Sequence, residues 1–313
     1  MNKVKFSAFA DLHHDMEWCG DGEERLDFIL DRAKRENVDF IIHLGDMTHE
    51  ATAMKETLDK YNNFEIPTYH VLGNHEMDRC TLEDVVKAYN MPHEYYYFDK
   101  NGFRFIVLNA NYMRIDGEDV PYSMGNYFQH GKDREWVSQE QIEWMEEVVM
   151  SSPYPMVIFS HGSLMREDVT QSALKNREEV QNIIRKAHAN GKRIFMCING
   201  HHHMDYMRIY EHVCYFDINS AMQCWMGSAY MHDYFPKEFN EKHKGAKYTV
   251  IYTDPVHAII TLSEDGTIEI DGMKGDFMFG VTPEMLNGTG CAQGMRITPN
   301  VMSETIKLAK EVK

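Results

Sequence analysis

No run of eighteen apolar residues occurs anywhere in this chain of 313 residues, so a membrane-spanning helix is not expected. The opening Met1-Asn2-Lys3-Val4-Lys5-Phe6 passes straight into strand-like alternation without the apolar core of a signal peptide, and a cytoplasmic location is the expectation. Cysteine is sparse and scattered: Cys19, Cys80, Cys197, Cys214, Cys224 and Cys291 show no C-x-x-C spacing, which argues against a disulfide framework or a zinc ribbon. Positive charge is in short supply. Against 49 Asp and Glu stand 32 Lys and Arg, a net charge of −17, so nucleic-acid polymers and anionic membranes would be repelled at long range. A phosphorylated substrate would then need a local cation, and bound metal ions are one way to supply it.

What is present is a chain of globular composition, 43% hydrophobic and 26% charged, long enough for one large domain. Residues 3–10 alternate Val4, Phe6, Ala8 and Ala10 on one face, as a strand does. Leu26, Ile29, Leu30 and Ala33 follow at helical spacing, with Asp21 and Glu24 as a candidate cap. The nearly continuous apolar run 38–44 reads as a buried parallel strand. The alternation continues with a helix near 51–62, a strand 68–72, and a helix behind a Thr81 cap. A hairpin then joins 95–98 to 103–109 through Asn101-Gly102. Further on come a helix with a Ser138/Gln141 capping box, a strand 156–160, a helix stopped at Gly191, and a strand 193–198. Residues up to about 270 read as hairpin strands, and the Gly- and Met-rich tail contains a short helix near 304–311. The expected organisation is one α/β domain over 1–270 with an extension, 271–313, packed on it.

Wherever an apolar strand ends, residues able to bind a metal follow: Asp11-Leu12-His13, Gly45-Asp46, Gly73-Asn74-His75-Glu76, His161, and Gly200-His201-His202-His203. In open α/β sheets the loops beyond the carboxyl ends of the strands converge on one crevice, so these residues are expected to meet. Carboxylate, imidazole and amide oxygen donors suit divalent ions such as manganese, iron or zinc. A carboxylate bridging two such ions roughly 3.5–4 Å apart makes a site for in-line attack on phosphorus, because both ions polarise the phosphoryl oxygens and a shared water ionises near neutral pH.

The ordered blocks D-x-H, G-D, G-N-H-E, a later lone His and G-H-x-H resemble those of the calcineurin-like metallophosphoesterases, and the resemblance covers residues 4–203. It implies a four-layer α/β/β/α sandwich with two central mixed sheets, the second supplied by hairpins in 95–109 and 205–270. It implies that Asp11, His13 and His203 hold one metal, that Asn74, His161 and His201 hold the other, and that Asp46 bridges them. His75 would be the unligated histidine that protonates the leaving oxygen, oriented by Glu76. Beyond Asp46, the segment Met47-Thr48-His49 fits the family pattern only loosely, and Gly162 and Ser163 stand where relatives often have His and Pro.

Trp18, Arg79, Arg166 and Trp225, with Tyr230 and Tyr234, are candidate substrate contacts, since aromatic loops beside such a centre could stack a base. His49, His130, His232 and His257 read as surface or structural, and His43 as a core residue. The expected activity is hydrolysis of a small phosphodiester or pyrophosphate, of nucleotide or glycerophosphodiester type. A phosphomonoesterase on the same centre is the alternative within the class, and a scaffold that has lost catalysis is the alternative outside it. The tail could cover the site or pair with a second chain.

Overall fold

The central strands are apolar on both faces, and each face finds a different partner. In the computed structural model, which describes residues 2–15, 17–165, 173–292 and 294–309, the chain forms two six-stranded sheets. The first contains β1 (Lys3–Phe9), β2 (Phe40–His43), β3 (Thr68–His70), β15 (Ala258–Ser263), β16 (Thr267–Asp271) and β19 (Glu304–Lys307), in the spatial order β19-β16-β15-β1-β2-β3. The second contains β4 (Tyr96–Lys100), β5 (Phe103–Val107), β9 (Met156–Phe159), β10 (Ile194–Asn199), β11 (Tyr206–Tyr210) and β12 (Val213–Asp217), in the order β11-β12-β10-β9-β5-β4. Within them, β1-β2-β3 and β12-β10-β9-β5 are parallel, and the remaining strands join antiparallel.

Period-two alternation assigns the layers. On β5 and β9, Phe105, Val107, Val157 and Phe159 point into the core shared with the first sheet, where Phe6 meets Phe105 and Phe159 edge-on. Their neighbours Ile106, Met156 and Ile158 face the opposite way, onto a second core with Met145 and Val149 of α4 (Gln139–Ser151) and Val180 and Ile184 of α5 (Arg177–Ala189). The first sheet is covered by α1 (Gly22–Arg35) and α2 (Lys55–Asn62). This is the expected four-layer sandwich.

Several local readings are refined. Asp21 stands at the N-cap of α1 but makes no side-chain cap bond; its Oδ1 accepts from Arg25 Nε at 2.8 Å instead. Ser138 caps α4 by accepting from Gln141 N, while the Gln141 side chain turns away to Asn109, so the reciprocal half of the capping box is missing. The helix expected from residue 51 begins only at Lys55. Strands β15 and β16 join the first sheet rather than the second, which takes only β11 and β12 from the later hairpins. Where a helix near 304–311 was expected, residues 304–307 form β19, which pairs with β16 through Ile306 opposite Ile268, and residues 310–311 lie outside the described residues. A vacant sheet edge offers hydrogen bonds that a lone turn of helix cannot match, and tertiary pairing overrides local propensity.

Candidate metal centre

The loops after β1 and β2 are fastened backbone to backbone. Asp11 N donates to Gly45 O and His13 N to Asp46 O, both at 2.9 Å. The two crossings leave no room for larger residues. A Cβ on Gly45 would lie 2.3 Å from the His161 ring, and one on Gly73 would lie 2.2 Å from Asp46. Asp11, His13, Asp46, His201 and His203 all take left-handed backbone, with φ between 44° and 70°. For residues with a side chain this costs about 1–2 kcal/mol each, a strain that concentrates at functional sites.

These turns bring two groups of donors together. In one, His13 Nε2 lies 3.0 Å from His203 Nε2, and Asp11 Oδ1 lies 3.8 Å and 3.3 Å from the same two atoms. In the other, His161 Nε2 lies 3.1 Å from Asp46 Oδ2 and 3.2 Å from His201 Nδ1. The groups adjoin: Asp11 Oδ2 accepts from His201 N at 2.9 Å, and His13, Asp46 and His75 have donor atoms within 4.8 Å of one another. Asn74 is half-buried between Gly73 and His75, both of which touch Asp46.

The donor set fits divalent cations on this structure's own terms. Asp11 Oδ1 is fully buried and has no hydrogen-bond partner, and paired imidazole nitrogens need a proton or a cation between them. Three of the four histidines have their outer ring nitrogen engaged, as metal-binding histidines usually do, while His203 Nδ1 is buried without a partner. His161 Nδ1 donates to Leu44 O at 2.8 Å, His13 Nδ1 pairs with His49 Nε2 at 3.0 Å, and His201 Nε2 lies 3.7 Å from Glu135 Oε1. Burial, then His203, holds His13 well below the usual histidine range, and burial also lowers His201, leaving both in the neutral form that binds metals. Burial acts the same way on His161, but the Asp46 carboxylate outweighs it and pushes that ring up to about 10. Asp46 therefore draws positive charge to the place where a cation would displace a proton.

His75 lies beside these groups with its side chain one-third exposed. Burial disfavours its charge, yet Asp46 and Asp78 outweigh that and push it up to about 9. Glu76 does not orient it. Its Oε1 accepts from Met47 N at 2.6 Å and Tyr89 OH at 2.9 Å, and its Oε2 from Gly73 N at 2.8 Å, so it braces the two loops that carry Asp46 and Asn74. The carboxylate on His75 Nδ1 is Asp78, at 2.7 Å. A Glu76→Gln variant would set an amide donor against Gly73 N or Met47 N. The expected cost is about 1–3 kcal/mol, read as a lower thermal midpoint; an unchanged midpoint would show that the brace contributes nothing.

His49, read as surface or structural, lies 4.4 Å ring to ring from His75 and bonds to His13. Its position directly after the Asp46 block was the available signal. Trp18 reaches the rim, its ring 5.8 Å from His49 and 5.5 Å from Trp225, which is half exposed. Tyr230 and Tyr234 are exposed in the same segment. Arg79 is exposed and pairs with Glu50 at 3.6 Å. Arg166 lies outside the described residues. His257 is buried against Pro255 O, and His43 is buried in β2.

The sandwich and the twin clusters at its strand ends define a metal-dependent phosphoester hydrolase that uses two divalent ions, manganese among the suitable ones. The profile of the calcineurin-like phosphoesterases matches residues 4–225, and the chain belongs to that family. It is 26% identical over 237 residues to a manganese-dependent ADP-ribose/CDP-alcohol diphosphatase of Oryza sativa subsp. japonica, covering 63% of this chain and 73% of the relative. A protein of the same description from Arabidopsis thaliana is 21% identical over 239 residues, covering 61% and 74%. Among solved structures, a dimetal phosphatase from Danio rerio superposes with a TM-score of 0.59 at 14% identity, covering 87% of this chain and 96% of that one. GAP50, described as the anchor in the inner membrane complex of Plasmodium, superposes with 0.53 at 12% identity, covering 87% and 84%. These likenesses establish the fold.

Proposed function

We propose that the protein hydrolyses the pyrophosphate or phosphodiester linkage of a small nucleotide-type substrate, with Asp11, His13 and His203 around one ion, Asn74, His161 and His201 around the other, and Asp46 between them. The observation that carries this reading is the adjacency of two donor clusters with His75 beside them, its Nδ1 bonded to Asp78. When bound, two divalent ions there would neutralise phosphate charge and make water nucleophilic near neutral pH. His75 gives a proton to the leaving oxygen. Glu76 keeps the Asp46 and Asn74 loops in register. Both substrates in the relatives' names, ADP-ribose and CDP-alcohol, contain a nucleoside diphosphate.

Trp18 and Trp225, edge to face at 5.5 Å, supply a stacking wall for the base at the rim. Trp18→Ala is expected to raise KM for a nucleotide substrate about tenfold, in keeping with about 1–3 kcal/mol for base stacking, and to leave a small diester that lacks a base almost unaffected. Equal effects on both substrates would refute the wall.

The acidic surface disfavours polymeric nucleic acid and anionic membranes as partners, and among the described residues no helix is long and apolar enough to cross a membrane. Six free cysteines fit a cytoplasmic location. Residues 271–313 are read as part of the same unit because β19 is bonded to β16. The deciding experiment combines elemental analysis with turnover of ADP-ribose, CDP-choline, bis-p-nitrophenyl phosphate and p-nitrophenyl phosphate, with and without manganese. About two metals per chain and preferred cleavage of the pyrophosphates support the proposal. Preferred cleavage of the monoester would replace it with a phosphatase, and absence of both metal and activity would replace it with a scaffold.

A further inference from the structure

Asp78 and Tyr122 belong to none of the five sequence blocks, yet they close on His75, the histidine given the proton-transfer role above. Asp78 follows His75 by three residues, across the short 3-10 turn His75–Met77. Its Oδ2 accepts from His75 Nδ1 at 2.7 Å, and its Oδ1 accepts from the hydroxyl of Tyr122. Both carboxylate oxygens are thereby committed and the side chain is held at each end.

Tyr122 comes from a different part of the chain. It follows the hairpin of β6 (Tyr112–Ile115) and β7 (Glu118–Pro121), is 1% exposed, and stacks on Tyr127 with ring centroids 3.8 Å apart. The segment after it is sewn to the Asp78 loop by Gly125 N donating to Met77 O and Met124 N to Cys80 O, both at 2.9 Å. His49 flanks the same carboxylate, its Nδ1 3.8 Å from Asp78 Oδ2. A buried tyrosine on a stitched loop is a rigid support, and a carboxylate gripped by it fixes which ring nitrogen of a bound imidazole carries the inner proton.

We infer that Tyr122 and Asp78 are positioning residues for His75, forming a Tyr122–Asp78–His75 relay that keeps a proton on Nδ1 and aims Nε2–H at the leaving oxygen. The inference rests on the hydrolase reading above. In the step it serves, a water oxygen bonds to phosphorus as the phosphorus–oxygen bond to the leaving group breaks. The departing oxygen keeps that electron pair and takes the Nε2 proton, while the water releases one proton to solvent. His75 is reprotonated from solvent, and the Nδ1 proton stays between His75 and Asp78 throughout. Such help matters most when the leaving oxygen is strongly basic.

The test compares wild type, Asp78→Asn and Tyr122→Phe on the p-nitrophenyl and phenyl esters of one nucleotide, with metal content measured on each protein. Expected for Asp78→Asn is a fall in kcat of about tenfold to a hundredfold on the phenyl ester, with a much smaller fall on the p-nitrophenyl ester, little change in KM, and the metal content of wild type. Tyr122→Phe is expected to move kcat in the same direction by less. Equal falls on the two esters would reduce Asp78 to a merely structural role. Loss of an ion in Asp78→Asn would make His49, His75 and Asp78 a cation site instead. Histidine-selective 15N spectra of the zinc-loaded protein, followed to a pH at which the ring has lost one proton, add a readout independent of turnover: the proton that remains on His75 should sit on Nδ1 in wild type and lose that preference in Asp78→Asn. A wild type inactive on every phosphoester would overturn the hydrolase reading, while the spectra would still decide whether the relay exists.

Discussion

Asp46→Asn protein is expected to hold fewer than two divalent ions after purification in excess manganese and to lose about a thousandfold or more in kcat/KM. The reason lies in how many groups this one carboxylate serves. Its Oδ2 faces His161 at 3.1 Å, its Oδ1 accepts from His75 N at 2.8 Å, and it is the charge toward which both donor clusters turn. An asparagine keeps the shape and one acceptor oxygen but removes the negative charge from a fully buried position. Charge stabilisation by bound ions contributes several kcal/mol, and each 1.36 kcal/mol is a factor of ten in rate, so losing about 4 kcal/mol gives the stated magnitude. Elemental analysis, circular dichroism and turnover on the same sample check it. A variant with two tightly held ions would refute the bridging role.

His75→Ala is expected to behave differently: metal content as in wild type, kcat lower by about 10²–10⁴, and KM nearly unchanged. The side chain is one-third exposed, so truncation opens no sealed cavity and the fold should persist. Loss of one metal would instead make His75 a ligand, and full activity would remove it from the chemistry.

The ordered blocks were legible because each is a chemical set placed after a strand. Asp11, Asp46, His161 and His201 lie more than thirty residues apart in sequence, and only the topology of parallel strands with a common carboxyl edge makes them neighbours. The layers were equally legible, since Phe105 and Ile106 alternate between two cores as strand periodicity demands. The finer roles were not. Glu76 and Asp78 both sit within three residues of His75, and which one touches the ring is decided by how the 3-10 turn His75–Met77 directs each side chain. The part played by Tyr122 depends on a hairpin that returns to the site more than forty residues later. Strand β19 was missed because its partner, β16, is the larger part of its reason to be extended.

The left-handed turns at Asp11, His13, Asp46, His201 and His203 narrow the substitutions these positions can accept. Outside glycine, that backbone region is populated most readily by Asn, Asp and His, and Asp and His are the donors a divalent ion asks for here. Steric and chemical demands thus draw on the same short alphabet. Glycine would keep the turn and forfeit the donor, while glutamate or glutamine would keep a donor and strain the turn. The positions that must bend the chain and the positions that must bind are therefore the same ones, and few single substitutions satisfy both demands.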